Sequence, residues 1–189
     1  MKSMLYHGSI TPGITELQAR SKLHGTSQNV VYLTDSIPYS LFYIWDSQHT
    51  GYDGKYVTGG FRDGIAFYEE QFPDQLKTFY QGVSGYLYHI PFTADVQPVE
   101  NRDGLFFQPN SAAIANVDFV PDVHAALLKY EANGQLRVLR YNDQTDERKA
   151  ELTDRIATFI LHSNFFANDQ EQQAFMKKHF SKAWRKANE

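Results

Sequence analysis

The sequence contains no cysteine among its 189 residues. Disulfide bonds, thiolate metal sites and cysteine nucleophiles are therefore excluded together. The seven histidines are scattered, and no two of them have the four-residue spacing at which one helix presents two imidazoles to a metal ion. We therefore expect neither a disulfide framework nor a metal site.

Long apolar runs and the common catalytic motifs are also missing. No stretch approaches the roughly 18 apolar residues of a membrane-spanning helix, and the opening MKSMLYHGS lacks the apolar run of a signal peptide. The sequence has no G-x-x-x-x-G-K-[ST], G-x-G-x-x-G, H-E-x-x-H or G-x-S-x-G, which argues against the common NTPases, Rossmann enzymes, zincins and α/β hydrolases. We expect a cytoplasmic protein without a membrane partner.

Positive charge is in deficit, since 18 Lys and Arg stand against 22 Asp and Glu and the net charge is −4. Tight binding of nucleic acid usually needs a basic face, so the net charge does not support a nucleic-acid partner. The exception is MKKHFSKAWRK, residues 176–186, which concentrates five cations around Phe180 and Trp184. Such a tail contacts RNA or a membrane, or it is the solvated face of a helix that packs on the protein.

The elements that are present predict an α+β fold. Apolar runs and alternation predict strands, and 3.6-residue periodicity and capping residues predict helices. We expect strands over 2–7, 30–34, 85–90 and 111–122, and helices from Pro38 with Asp35 or Ser36 as the cap, over 69–83, and from Thr145 onward. We expect connections over 11–28, with a short helical turn, over 46–64, with a turn and strand at YDGKYVTG, and over 94–110; ANGQ, 132–135, is a hairpin or a helix-to-strand turn. The resulting division is an α+β domain at 1–143 and a helical C-terminal segment at 144–189, packed on it or beside it.

Two N-terminal segments carry the candidate site. His7 and Gly8 end the first strand and offer an imidazole beside backbone groups that no β-carbon obstructs. Tyr32 lies on the next long strand, and Tyr39 and Tyr43 follow four residues apart, on one face of a helix. Tyrosine rings can enclose a flat heterocycle while their hydroxyls bond elsewhere. The pattern predicts a pocket for a nucleotide base, and the alternative is a strand-end histidine with aromatic core residues.

These residues carry a resemblance to a known family. LYHGS, then GITEL, then VVYLTDSIPYSLFY resembles the opening of the ADP-ribosyltransferase superfamily, in which a histidine and glycine on the first strand precede a tyrosine or serine-threonine strand. GYLYHI and SAAIANVDFVPDV also fall where that fold places later strands. The resemblance implies a split antiparallel sheet, NAD as the substrate and a macromolecular acceptor of ADP-ribose. The implied chemistry is cleavage of the nicotinamide glycosidic bond through an oxocarbenium-like state.

The resemblance also implies a role for each matching residue. His7 would hydrogen-bond the nicotinamide-side ribose of NAD, and Gly8 would meet the carboxamide through its backbone. Tyr43 or Tyr39 would stack on the nicotinamide, and His7 and Tyr43 would form the catalytic pair. The residues that would bind NAD are His7, Gly8, Tyr32, Thr34, Tyr39 and Tyr43, with Tyr32 or Thr34 on the strand that walls the pocket.

The sequence departs from the family pattern at its glutamate. Members carry that acid at the start of a strand that we place at 110–117, where this chain reads FFQPNSAAIANV with Gln108 or Asn110 at the position. The other candidate acids, solvated or in the site, are Glu69, Glu70 and Glu100, and Arg20 is either a phosphate ligand or a surface residue. Three hypotheses follow: an ADP-ribosyltransferase, a nucleotide-binding module without turnover, and an interaction protein whose helical tail can be deleted without unfolding the core.

Overall fold

A computed structural model of the chain describes residues 3–52, 58–163 and 169–189. The strands are β1 (Met4–Ser9), β2 (Glu16–Leu17), β3 (Ser21–Lys22), β4 (Asn29–Thr34), β5 (Gly59–Arg62), β6 (Ile65–Glu69), β7 (Gly85–Pro91), β8 (Gln97–Pro98), β9 (Leu105–Gln108), β10 (Ala112–Ala113), β11 (Asn116–Val120) and β12 (Leu136–Leu139). The helices are α1 (Ile37–Leu41), α2 (Ser47–Thr50), α3 (Gln75–Tyr80), α4 (Val123–Ala132), α5 (Asp146–His162), α6 (Gln170–His179) and α7 (Ser181–Asn188), with a 3₁₀ turn at Tyr141–Asp143.

The strands form one large sheet and two small ones. The large sheet has the order β11-β7-β1-β4-β9-β8, with β3 added to β4, and every pairing in it is antiparallel. The small sheets are β10-β2 and β12-β6-β5, and β12 runs parallel to β6. The predicted α+β class is confirmed.

The large sheet opens between its two central strands. β1 pairs with β7 along its whole length, from Met4 to Ser9, but it pairs with β4 only at Tyr6 and Thr34. Beyond that pair β4 continues with β3 and β9 as its neighbours. A gap therefore lies between the second half of β1 and the first half of β4.

Helix α1 packs directly on β1, next to this gap. Its predicted cap is Ser36, whose Oγ accepts a hydrogen bond from the N–H of Tyr39, and Pro38 lies in the first turn, where its missing N–H costs nothing. A β-carbon on Gly8 would overlap the carbonyl oxygen of Ser40 and lie 3.1 Å from Cγ1 of Ile44. The glycine is therefore needed for the close approach of helix and strand.

The main core lies between the large sheet, the β12-β6-β5 sheet and the C-terminal helices. Its fully buried residues include Phe42, Tyr68 and Phe79. The C-terminal helices contribute Ile156 and Phe175 to the same cluster. Burying these apolar side chains is the main source of stability, so the C-terminal segment belongs to the core of the protein.

A bidentate ion pair joins the β12-β6-β5 sheet to α5. Arg148 donates from Nε and Nη2 to the two carboxylate oxygens of Glu69, at 2.9 Å each. The neighbouring Glu70 is buried, and its carboxylate accepts hydrogen bonds from the N–H groups of Leu76 and Tyr141. Both acids therefore serve to connect elements of the fold.

Several predicted elements differ from the observed ones. The strands predicted at 2–7 and 85–90 are observed as β1 and β7, and ANGQ is a helix-to-strand turn between α4 and β12. Residue 2 lies outside the described residues, and β1 continues to Ser9, so His7 and Gly8 lie within the strand and do not end it. The helix predicted over 69–83 is only α3, because Glu69 pairs with Leu139 of β12 as the last residue of β6 and residues 71–74 form a turn. The strand predicted over 111–122 is divided into β10 and β11, whose partners β2 and β7 belong to different sheets.

Short strands were missed in the predicted connections. The connection over 11–28 holds β2 and β3 in place of a helical turn, and the connection over 94–110 holds β8 and β9. Strands of two to four residues are too short to show alternation, so their pairing depends on the neighbouring strand. The loop over 46–64 contains α2, and residues 53–57 of the predicted turn and strand lie outside the described residues.

Candidate functional site

A cavity of about 730 Å³ occupies the gap between β1 and β4. This volume lies within the range of small-molecule and cofactor sites. All six residues that the sequence nominates line it: His7, Gly8, Tyr32, Thr34, Tyr39 and Tyr43. The fold therefore brings together residues from β1, from β4 and from α1 with the turn after it, and their roles in binding stay predictions.

His7 bridges the gap between the two strands. Its Nδ1 lies 3.1 Å from the backbone oxygen of Tyr32. Because a carbonyl oxygen only accepts, Nδ1 is the donor in this contact. The imidazole therefore joins β1 to β4 in the wall of the cavity.

Tyr39 and Tyr43 differ in what they can offer to a ligand. Tyr39 is 5% exposed and its ring packs on Phe61 with centroids 4.8 Å apart, so it is largely a core residue. Tyr43 is 36% exposed, and its hydroxyl lies 3.2 Å from that of Tyr39. Of the two predicted stacking residues, Tyr43 is therefore the one with ring surface available.

The hydroxyl of Tyr43 stays protonated. Burial of that hydroxyl, and next the neighbouring Tyr39, raise the pKa of Tyr43 well above its usual value, while the charge of Arg102 acts in the opposite direction. A neutral phenol can donate a hydrogen bond but cannot act as a base at neutral pH. Tyr43 therefore suits a stacking or donor role.

Tyr32 and Thr34 have structural bonds of their own. The Tyr32 hydroxyl donates to the backbone oxygen of Lys22 at 3.2 Å and accepts from the N–H of His24 at 3.1 Å, so it holds the β3–β4 hairpin. The Thr34 hydroxyl donates to the oxygen of Gly104 at 2.7 Å and accepts from the N–H of Ser36. Both residues line the cavity, and their predicted role in binding NAD stays a prediction.

Four further lining residues were missed by the sequence reasoning. Lys22, His24 and Arg102 bring positive or titratable groups to the cavity, and Trp45 adds an aromatic ring. Trp45 is 6% exposed, and its Nε1 has no hydrogen-bond partner among the described residues. No local signal identifies these residues, since Arg102 reaches the cavity only because β8 and β9 form a hairpin.

The charge of the cavity lining is opposite in sign to the net charge of the chain. The chain carries a net charge of −4, yet among the described residues neither Asp nor Glu lines the cavity, whereas Lys22 and Arg102 do. Opposite charges attract most strongly where water is partly excluded. The cavity is therefore complementary to an anionic ligand.

Among the described residues, none of the candidate acids lines the cavity, and neither do Gln108 and Asn110, which stand at the position predicted for the glutamate. Gln108 ends β9, donates from Nε2 to the oxygen of Ser111 at 2.9 Å, and leaves a buried Oε1 without a partner among the described residues. The remaining candidates, Glu69, Glu70, Glu100 and Asn110, lie outside the lining, as does the exposed Arg20. The strand predicted over 110–117 is observed as β10 and the first residues of β11, and the position assigned to the family glutamate stays a prediction.

The apolar side of the basic tail packs on the protein, whereas its five cations are exposed. The Lys177 ammonium lies 5.1 Å from the centroid of the Trp184 ring, Lys186 pairs with Asp154 at 2.7 Å, and Phe180 is buried.

None of the helices in the described ranges is both long and apolar enough to cross a membrane. Residues 3–52, 58–163 and 169–189 also contain no group of three or more His, Cys, Asp or Glu that could hold a metal ion.

No family model, no curated protein and no solved structure matches the chain.

Proposed function

We propose that this protein binds NAD, or a closely related anionic nucleotide, in the cavity between β1 and β4. The observation that carries the proposal is the composition of the lining, which joins aromatic rings and two cations and, among the described residues, includes no carboxylate. The resemblance of the N-terminal segments to ADP-ribosyltransferases supports NAD as the first ligand to test. We place this function in the cytoplasm, as the sequence predicts.

The residues present fit the chemical groups of NAD. The ring of Tyr43 offers a surface for a flat heterocycle, and His7 remains the predicted hydrogen-bond partner of a ribose hydroxyl. Arg102 and Lys22 would hold the diphosphate, since charge-assisted hydrogen bonds to phosphate are among the strongest that side chains make. The Gly8 backbone remains the predicted contact for the carboxamide.

The unpartnered indole N–H of Trp45 also supports a bound ligand. A buried donor without a partner costs about 1–3 kcal/mol. A ligand acceptor that reached Nε1 would remove this cost, so the free protein would be less stable than the bound form. The Trp45→Phe variant, which keeps an aromatic ring and removes the donor, should then bind NAD more weakly.

A thermal-shift titration tests the proposal. NAD, ADP-ribose and nicotinamide are titrated against the wild type, His7→Ala and His49→Ala, because His49 is exposed and lies outside the lining. A ligand that binds only the folded state raises Tm by mass action. We expect NAD to raise the Tm of the wild type and His49→Ala but not that of His7→Ala. Equal shifts in all three proteins, or no shift at about 1 mM NAD, would contradict the proposal.

ADP-ribosyl transfer is the second candidate function. His7, Gly8 and Tyr43 lining one cavity favour it, because the resemblance assigns the reaction to these residues. The cationic lining opposes it, because a developing oxocarbenium ion is stabilised by negative charge. We therefore expect NAD to bind without turnover. Release of nicotinamide from NAD by the wild type, lost in His7→Ala, would instead establish the transferase or a related hydrolase.

A further inference from the structure

Strand β11, Asn116–Val120, ends the large sheet on the side away from the cavity. Among the strands of the described residues its one partner is β7, through Asn116↔His89 to Val120↔Gly85. In an antiparallel sheet alternate residues of an edge strand turn their N–H and C=O groups outward. The outer side of β11 therefore presents a template for one more strand.

The two faces of β11 differ in chemistry. Val117 and Phe119 share one face and are 47% and 59% exposed, and the Phe119 ring lies 5.4 Å from that of Tyr86. Large apolar side chains that cluster on an accessible surface are typical of interaction sites. Apolar side chains packed on this face of the edge strand would remove its apolar surface from water, which is favourable.

A single acid stands on the opposite face, between the two apolar residues. The Asp118 side chain is 56% exposed; its Oδ2 lies 2.7 Å from Nε2 of His89 and its Oδ1 accepts from the amide of Asn116 at 3.3 Å. These contacts fix the carboxylate beside the strand edge. A residue of an added strand directly opposite Asp118 would have its side chain on the same face.

We propose that β11 accepts an extended segment of a partner protein as an additional antiparallel strand, with a Lys or Arg opposite Asp118 and apolar residues on either side of that cation. The cation matches the carboxylate, and its neighbours pack on Val117 and Phe119. A second copy of this chain fits less well. Pairing the whole strand with itself would set two Asp118 side chains opposite each other, and like charges directly opposite are destabilising. The proposal goes beyond nucleotide binding and does not depend on it.

Fluorescence anisotropy with defined peptides tests this proposal on the full chain. The probe is a short blocked peptide with the core threonine-valine-lysine-valine-threonine, labelled with fluorescein. Its comparison peptides carry glutamate in place of lysine, or N-methyl groups on alternate backbone nitrogens. The protein variants are Asp118→Asn, Phe119→Ser and the matched control Asp95→Asn, which alters an exposed aspartate in the turn before β8. Circular dichroism checks that each variant folds.

We expect the lysine peptide to bind about tenfold more tightly than the glutamate peptide, as opposed and like charge pairs across strands predict. Asp118→Asn should reduce this preference to about threefold or less, and Asp95→Asn should leave it unchanged. Phe119→Ser should weaken both peptides, and N-methylation should abolish binding, since it removes the ladder donors.

Three results would overturn the proposal. The first is the absence of binding at about 1 mM peptide, and the second is a charge preference that survives in Asp118→Asn. The third comes from sedimentation of the wild type without peptide. Self-association that Phe119→Ser abolishes would make a second copy of the chain the occupant of β11.

Discussion

Replacing Gly8 by alanine tests the central packing contact of the candidate site. The added β-carbon would overlap the backbone oxygen of Ser40, so α1 must move away from β1. Inserting atoms into a packed contact costs about 1–3 kcal/mol, and a backbone obstacle places this change near about 2–3 kcal/mol. For a chain of this length Tm should fall by about 5–10 °C.

Gly60→Ala is the matched control, since Gly60 is also a strand glycine. Its added β-carbon would meet only the ring of Phe67, at 3.2 Å, and a ring can adjust where a backbone carbonyl cannot. Thermal and urea unfolding of the two variants, followed by circular dichroism, measure the difference in the free energy of unfolding. NAD binding by Gly8→Ala should also weaken, because Tyr43 follows α1. A Gly8→Ala variant within about 0.5 kcal/mol of the wild type would refute the packing argument.

Three further predictions concern the remainder of the core. Arg148→Met should lower the free energy of unfolding by about 1–3 kcal/mol, since it leaves the largely buried Glu69 without its bidentate partner. Urea unfolding measures this free energy, and an unchanged urea midpoint would contradict the prediction. Burial, and next the charge of Lys178, lower the pKa of His179 from 6.5 to about 4. Its protonation therefore opposes folding, and the wild type should lose stability relative to His179→Phe as pH falls from about 6.5 to 4, by about 1–2 kcal/mol after allowance for screening of a partly exposed ring. An equal difference in the urea midpoints of the two proteins at both pH values would contradict this link. Deleting residues 170–189 removes the buried Phe175 and with it one face of the core. Because the loss of each buried aromatic side chain costs about 3–5 kcal/mol, circular dichroism should show an unfolded chain. A folded product would support a separable tail.

The parts of the fold that could be predicted are those with local signals. β4 follows from an apolar run, α1 from the Ser36 cap and Pro38, and α5 from the Thr145 cap, which accepts from the N–H of Arg148. These signals arise within a few residues of the element they specify. The same signals led to the cavity, because β1 and β4 are neighbours in the sheet.

The remaining features depend on contacts between distant residues. β9 pairs with β4 across more than 70 positions of the chain, so nothing in the polar stretch before it marks Arg102 as a cavity residue. Gly8 was interpreted as an opening for a ligand, whereas the structure shows that its missing β-carbon is the place of the Ser40 carbonyl. A sequence reveals that a glycine is needed, and only the packed structure reveals which neighbour needs it.

The single pairing between β1 and β4 gives the large sheet an edge in its interior. The β11-β7-β1 part and the β4-β9-β8 part share one ladder position, Tyr6 with Thr34, and the His7 side chain makes a second link one residue further on. Apart from α1, which packs on both β1 and β4, few backbone hydrogen bonds at this position resist a change in the angle between the two parts. A molecule held between them takes the place of missing strand contacts, so occupancy of the cavity should stiffen the whole sheet and slow amide exchange even in strands that never touch it.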